Sequence, residues 1–198
     1  MSIIVILGVV FAYIQVEISD RNYQFQGNLF DPYPAAYQFE LRDQNGDLFR
    51  MEDQKGKVVL LFFGYTNCPD VCPTTLSKFK KIRAALGDQA DQVAFVFITV
   101  DPERDYPNKI QAYLKAFHSS FIGLTGTQRE LQPVWDGYYI FQEQEEVDEE
   151  AHVEDAGYLV SHTSRIYVVD PEGNLHLTFP QEMLSGAMTA DIIHLLGN

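Results

Sequence analysis

The sequence predicts an α/β domain with a mixed central sheet and helices on both faces. Three observations carry that prediction. KVVLLFF (57–63) and VAFVFITV (93–100) are unbroken apolar runs with the length and branched residues of strands buried on both faces. Leu76, Phe79, Ile82 and Leu86 recur between them at helical spacing. Antiparallel hairpin signals stand near the start and the end of the chain, so the sheet is not purely parallel.

The chain opens on MSIIVILGVVFAYIQVEIS, apolar and glycine from residue 3 to 14. A helix over residues 1–18 would be about 27 Å long, close to the hydrocarbon thickness of a bilayer. A buried core helix is the other reading. No small-x-small cleavage site follows, which favours an uncleaved membrane anchor over a removed signal, although no Lys or Arg precedes the run to orient it. Residues 19–36, with Gly27, Pro32 and Pro34, read as a linker, and 37–198 as the domain. An anchored domain of this kind is expected on the oxidising, extracytoplasmic side of a membrane, in a bacterial cell envelope.

FELRDQNGDLF reads as an N-terminal β-hairpin turning at Gln44-Asn45-Gly46. Pro73 suits the first residue of the helix that carries Leu76 to Leu86. Ile110, Tyr113, Leu114 and Phe117 mark a second helix, and FIGLT (121–125) a short strand. Thr127 and Glu130 form a capping box for a third helix, disturbed or bent near Pro133. Residues 143–155 hold eight acids and no base, the composition of a solvated loop. RIYVVD and NLHLTF form a hairpin around Asp170-Pro171-Glu172-Gly173, and Thr189 suits the cap of a last helix to Leu196.

A chain of 198 residues suffices for one well-packed domain. Its formal net charge of −14 argues against nucleic acid, whose phosphates require Lys and Arg. Both cysteines, Cys68 and Cys72, lie in GYTNCPDVCPTT. Two thiols exclude a disulfide-stapled scaffold and a four-thiolate zinc site. They leave a disulfide, a redox couple, or a metal site completed by other residues.

The pair sits between a buried strand and a helix, where open α/β sheets place their sites. The helix N-terminus favours thiolates, and Pro69 and Pro73 stiffen the loop. Both sulfurs are therefore expected in one exposed concavity with lowered pKa. Thiolates suit Cu(I), with imidazole as a fitting third ligand. Five histidines are available. His118 reads as a helix-end charge, His152 as part of the acidic loop, and His176 and His194 as solvent-facing. His162 precedes a strand, and on spacing alone a structural role fits it at least as well as ligation.

NCPDVCPTT, TVDPERD and SHTSRIYVVDPEGN together resemble the Sco/SenC family of copper chaperones, over about Phe39 to Leu196. The resemblance implies a thioredoxin-like fold with one copper, as Cu(I) or Cu(II), on Cys68, Cys72 and His162. It also implies tethering by an N-terminal helix. The implied role is assembly of the dinuclear copper site of cytochrome c oxidase, in subunit II, by delivering copper or reducing cysteines; another copper-delivery protein is a further implied partner. Asp101 and Asp70 are candidates for supporting the ligands, although Pro102 makes a plain turn an equal account of Asp101. Ser161 and Gln38 stand where the family often has acids. The alternative on the same atoms is a thiol–disulfide reductase with Cys68 and Cys72 as the catalytic pair. A thiol peroxidase has no supporting pattern around Cys68.

Overall fold

The computed structural model describes residues 23–146 and 158–197, with the backbone alone at Gln144, Glu145, Glu146 and His162. The anchor segment 1–18 and His152 lie outside these residues. No helix among the described residues is long and apolar enough to cross a membrane.

Strands β1 (Asn28–Leu29), β2 (Glu40–Asp43), β3 (Leu48–Arg50), β4 (Val58–Gly64), β5 (Val93–Thr99), β6 (Ile122–Thr125), β9 (Ile166–Val169) and β10 (Leu175–Phe179) form one sheet in the order β1-β10-β9-β4-β5-β6-β2-β3. Strands β7 (Gln142–Glu146) and β8 (Tyr158–His162) pair separately. The sheet is mixed: β4, β5 and β6 run parallel, while β9 is antiparallel to β4. All seven residues of β4 and all seven of β5 are buried, as their unbroken apolar runs require.

Helices α1 (Val71–Leu86), α2 (Pro107–Lys115), α3 (Gln128–Gly137) and α4 (Ser185–Gly197) complete the fold. Phe79 of α1 packs on Phe62 and Phe95, and Tyr113 of α2 on Phe97, all on one face of the sheet. On the opposite face Tyr138, just after α3, meets Phe63 and Tyr167. The predicted layers are therefore present.

Several elements differ from their sequence reading. Helix α1 starts at Val71, two residues before Pro73, with Asp70 at the N-cap position but no capping bond from its side chain. Pro73 is tolerated there, since the first four helical N–H groups have no partner within the helix. The capping box at Thr127 and Glu130 is formed, and α3 continues through Pro133 to Gly137. Thr189 does not cap α4; the helix begins at Ser185, and Thr189 Oγ1 donates to the Ser185 carbonyl at 2.8 Å inside it.

The first hairpin is not a separate ornament, because β2 adds to β6 and extends the sheet. Within the stretch read as linker, β1 pairs with β10. There the buried Asp191 of α4 accepts from Tyr23 Oη (2.8 Å), Gln26 N–H (3.0 Å) and Gly27 N–H (2.9 Å). Glu143–Glu146, read as loop, belong to β7.

This topology fixes where a site can form. Gly64 is level with Thr99, so β4 and β5 end together, and Val100 N–H bonds the Gly64 carbonyl at 2.9 Å. Ile166 is level with Phe62 in the antiparallel β4–β9 pair. The chain entering β9 therefore emerges at the end of the sheet where β4 leaves.

Candidate metal centre

The cysteine loop begins where β4 stops. A Cβ on Gly64 would lie 2.8 Å from Cys72 Sγ, so glycine leaves the space that the sulfur fills. Cys72 is the second residue of α1 and fully buried; Cys68 is partly exposed. Both are thiols, with no disulfide between them. Cys68 N–H bonds the Tyr65 carbonyl at 3.3 Å, and Cys72 N–H points at Cys68 Sγ at 3.5 Å.

The first turn of α1 thus aims a backbone N–H at Cys68, which favours a thiolate on that sulfur. The expectation of two exposed, low-pKa sulfurs fails for Cys72. Burial pushes its thiol well above the ordinary cysteine value, and the hydrogen bond with Cys68 adds to the rise. The earlier start of α1 is the physical reason, since it turns Cys72 inward beneath β4.

Two buried carboxylates follow β5. Asp105 accepts from Thr66 N–H at 3.0 Å, Thr66 Oγ1 at 2.5 Å and Thr99 Oγ1 at 2.8 Å. Lys109 Nζ donates to Asn67 Oδ1 at 2.6 Å. These bonds fix the two residues before Cys68. Burial raises the Asp105 pKa, against the lowering effect of its hydroxyl and amide donors. Asp101 accepts from Tyr158 Oη at 2.7 Å and from Arg104 Nε at 2.5 Å, so it engages the start of β8 rather than the cysteines. Asp70 is exposed, and its described bond is from Thr74 Oγ1 at 3.4 Å.

Strand β8 closes the site. A cleft of about 250 Å³ separates Tyr65, Cys68 and Asp70 on one wall from Val160, Ser161 and Ser164 on the other. Tyr65 joins the walls: its hydroxyl accepts from Val160 N–H at 3.3 Å and also engages Cys68. Burial raises its phenol pKa, and the neighbouring cysteines raise it further. The His162 backbone pairs with Gln142 at the end of β8; its side chain lies outside the described residues. Among the described side chains, no group of three His, Cys, Asp or Glu is placed to hold an ion. Cys68 and Cys72 supply two thiol donors at the site.

The other described histidines are engaged elsewhere. His118 Nδ1 meets Ser120 at the end of α2. His176 is not solvent-facing as its alternation suggested: it bonds Asp170 at 3.2 Å, stacks on Tyr33 and keeps 12% of its side-chain surface. His194 stacks on Tyr23 at 3.9 Å and is half-buried. In both cases the segment before β2 provides the cover, which no local pattern announces. Tyr65, Arg104, Asp105 and Tyr158 went unselected in the sequence. The motif TVDPERD holds Arg104 and Asp105, although its pattern singles out Asp101 alone.

The SCO1/SenC family model matches residues 31–197. An SCO2-like protein of Rickettsia conorii is 34% identical over 189 residues, which cover 92% of this chain and 90% of that protein. Bradyrhizobium japonicum ScoI, solved with copper bound, matches with a TM-score of 0.72 and 36% identity, over 82% of this chain and 99% of that one. Apo Sco1 from Thermus thermophilus, solved in solution, gives a TM-score of 0.73 at 33% identity, over 87% and 96% of the two chains.

Proposed function

The chain belongs to the SCO1/SenC family, and from that membership we propose that it carries copper as cargo, on Cys68 Sγ, Cys72 Sγ and the His162 imidazole. The observation that carries the reading is the cleft itself. Cys68 lines it, with the buried Cys72 thiol hydrogen-bonded behind, and its far wall includes the strand that ends at His162. Soft sulfur donors suit Cu(I), and a histidine completes a set of three that leaves the ion open to a partner's thiolates. Relatives solved with copper bound support the cargo. Cys72 loses its proton when the ion binds, so loading releases protons to solvent. The recipient is the dinuclear copper centre of cytochrome c oxidase. Residues 1–18 would tether the domain to the outer face of a bacterial membrane.

X-ray absorption on the reduced domain, wild type beside His162→Ala, tests the ligand set. One copper with two sulfurs and one nitrogen is expected, with the nitrogen lost in the variant. Tight copper binding with the same ligation after His162→Ala would remove His162 from the site.

One observation favours a second activity on the same atoms. Cys68 is accessible and receives a helix N–H, whereas Cys72 is buried behind it. That asymmetry suits an attacking thiolate and a resolving thiol. The pair would reduce a partner disulfide to two thiols and become a Cys68–Cys72 disulfide itself. Copper-free turnover of a disulfide substrate by His162→Ala would isolate this activity.

A further inference from the structure

The two walls of the cleft have no common sheet. Strands β7 and β8 bond to each other and not to the main sheet, so backbone pairing with β4 or β9 does not set the position of β8. Side chains must set it: Tyr65 takes the Val160 N–H, and one short loop supplies the rest. Asp101–Asp105 closes on itself through Asp105 N–H to the Asp101 carbonyl at 2.9 Å. At one end Asp105 holds Thr66, two residues before Cys68. At the other, Asp101 accepts from the Tyr158 hydroxyl at the start of β8.

Arg104 stands between the walls. Its Nε donates to Asp101 at 2.5 Å and its Nη1 to the Tyr158 carbonyl at 2.9 Å. The guanidinium carbon lies 3.5 Å from the centroid of the Tyr158 ring and 5.8 Å from that of Tyr65. It therefore rests against one aromatic ring from each wall while bonding the backbone of β8. A lysine has the charge but neither the planar face nor the paired, divergent donors.

We infer that Arg104 is a positioning residue, which sets the separation between the cysteine wall and the strand that ends at His162. Asp101 and Tyr158 complete its grip, and Asp105 anchors the same loop to the cysteine side. The inference rests on the copper reading above, but it has a consequence that needs no copper. Without Arg104 the β8 backbone loosens, while β4, β5 and the cysteine loop stay as they are.

The test compares wild type with Arg104→Met, Arg104→Lys and Tyr158→Phe. In the copper-free protein, amide exchange at Val160 is expected to rise at least about tenfold in both Arg104 variants, with the β4 and β5 amides unchanged. After Cu(I) is added, the nitrogen signal is expected to vanish with both sulfurs retained. Affinity is expected to fall about 10–100-fold, the usual cost of losing a group that orients a ligand. Tyr158→Phe keeps the ring and loses only the bond to Asp101. It should shift the same readouts less, and it carries the test if Arg104→Met fails to fold. Unchanged Val160 exchange with unchanged ligation would overturn the inference. So would joint loss of sulfur and nitrogen, because Asp105 rather than Arg104 holds the cysteine loop. Failure of the wild type to take copper would sink the copper reading alone, and the Val160 comparison would still decide the role of Arg104.

Discussion

Replacing Gly64 by alanine puts one methyl group where the structure has no room. The new Cβ would stand 2.8 Å from Cys72 Sγ, 2.9 Å from Phe62 Cε1 and 3.0 Å from Phe97 Cε2. Comfortable contacts between such atoms are about 3.5–4.0 Å, so the three neighbours must retreat together by roughly 0.5–1 Å. Both rings are almost completely buried in the face that α1 covers and have little space to yield. Overpacking of this kind costs about 1–3 kcal/mol, and three simultaneous contacts place it in the upper part of that range. The sulfur is the third party to the clash, so copper affinity should fall about tenfold or more as well. Urea unfolding reads the first effect, and competition with a Cu(I) chelator reads the second. Gly123→Ala is the control. Its Cβ would meet Ile110 Cγ2 at 2.2 Å and Leu114 Cδ1 at 2.6 Å, an equal or worse clash beneath α2 that involves neither sulfur. It should lower stability and leave copper affinity alone. If both variants lose stability and neither loses affinity, Gly64 is a packing residue and the reasoning about the sulfur is wrong.

Two further outcomes follow from the same geometry. The buried Cys72 keeps its proton beyond the ordinary thiol value of 9.0, so its share of stability is fully present below that value and is lost as pH rises through the folded-state pKa. The copper-free protein should therefore weaken from about pH 9 upward, and Cys72→Ala should flatten that slope in urea midpoints taken across the range. Asp191→Ala leaves the Tyr23 hydroxyl and the Gln26 and Gly27 amides without their acceptor, at about 1–3 kcal/mol for each group that water does not recover. Faster proteolysis near residues 23–30 at unchanged core amide exchange is the expected sign.

The central strands were legible because burial on both faces writes itself as an unbroken apolar run, in β4 and β5 alike. The capping box at Thr127 was legible because its two bonds are local. Features that depend on distant partners were not. Strand β7 is acidic and, among the described residues, pairs with β8 alone, so its composition reads as loop. The segment before β2 becomes part of the domain through distant partners: the β10 strand, His176 and Asp191, the last more than 160 positions away. The depth of Cys72 turns on where α1 begins, and Pro73 pointed two residues too late. Asp105 and Arg104 act by reaching across the cleft to Thr66 and Tyr158, a relation that no spacing rule contains.

The distance in sequence between the two walls of the cleft also bears on when cargo can be held. An unfolded chain offers the two thiols side by side, because they are neighbours in sequence. The strand that ends at His162 comes beside the cysteine loop only across a closure of about a hundred residues, the one that also joins β9 to β4. On the ligand set proposed above, a complete donor set is a property of the folded state, and the half-set of the open chain would bind more weakly. By mass action copper then selects the folded form, and its stabilising effect grows with the ratio of the two affinities. A loaded molecule should unfold at higher urea than an empty one.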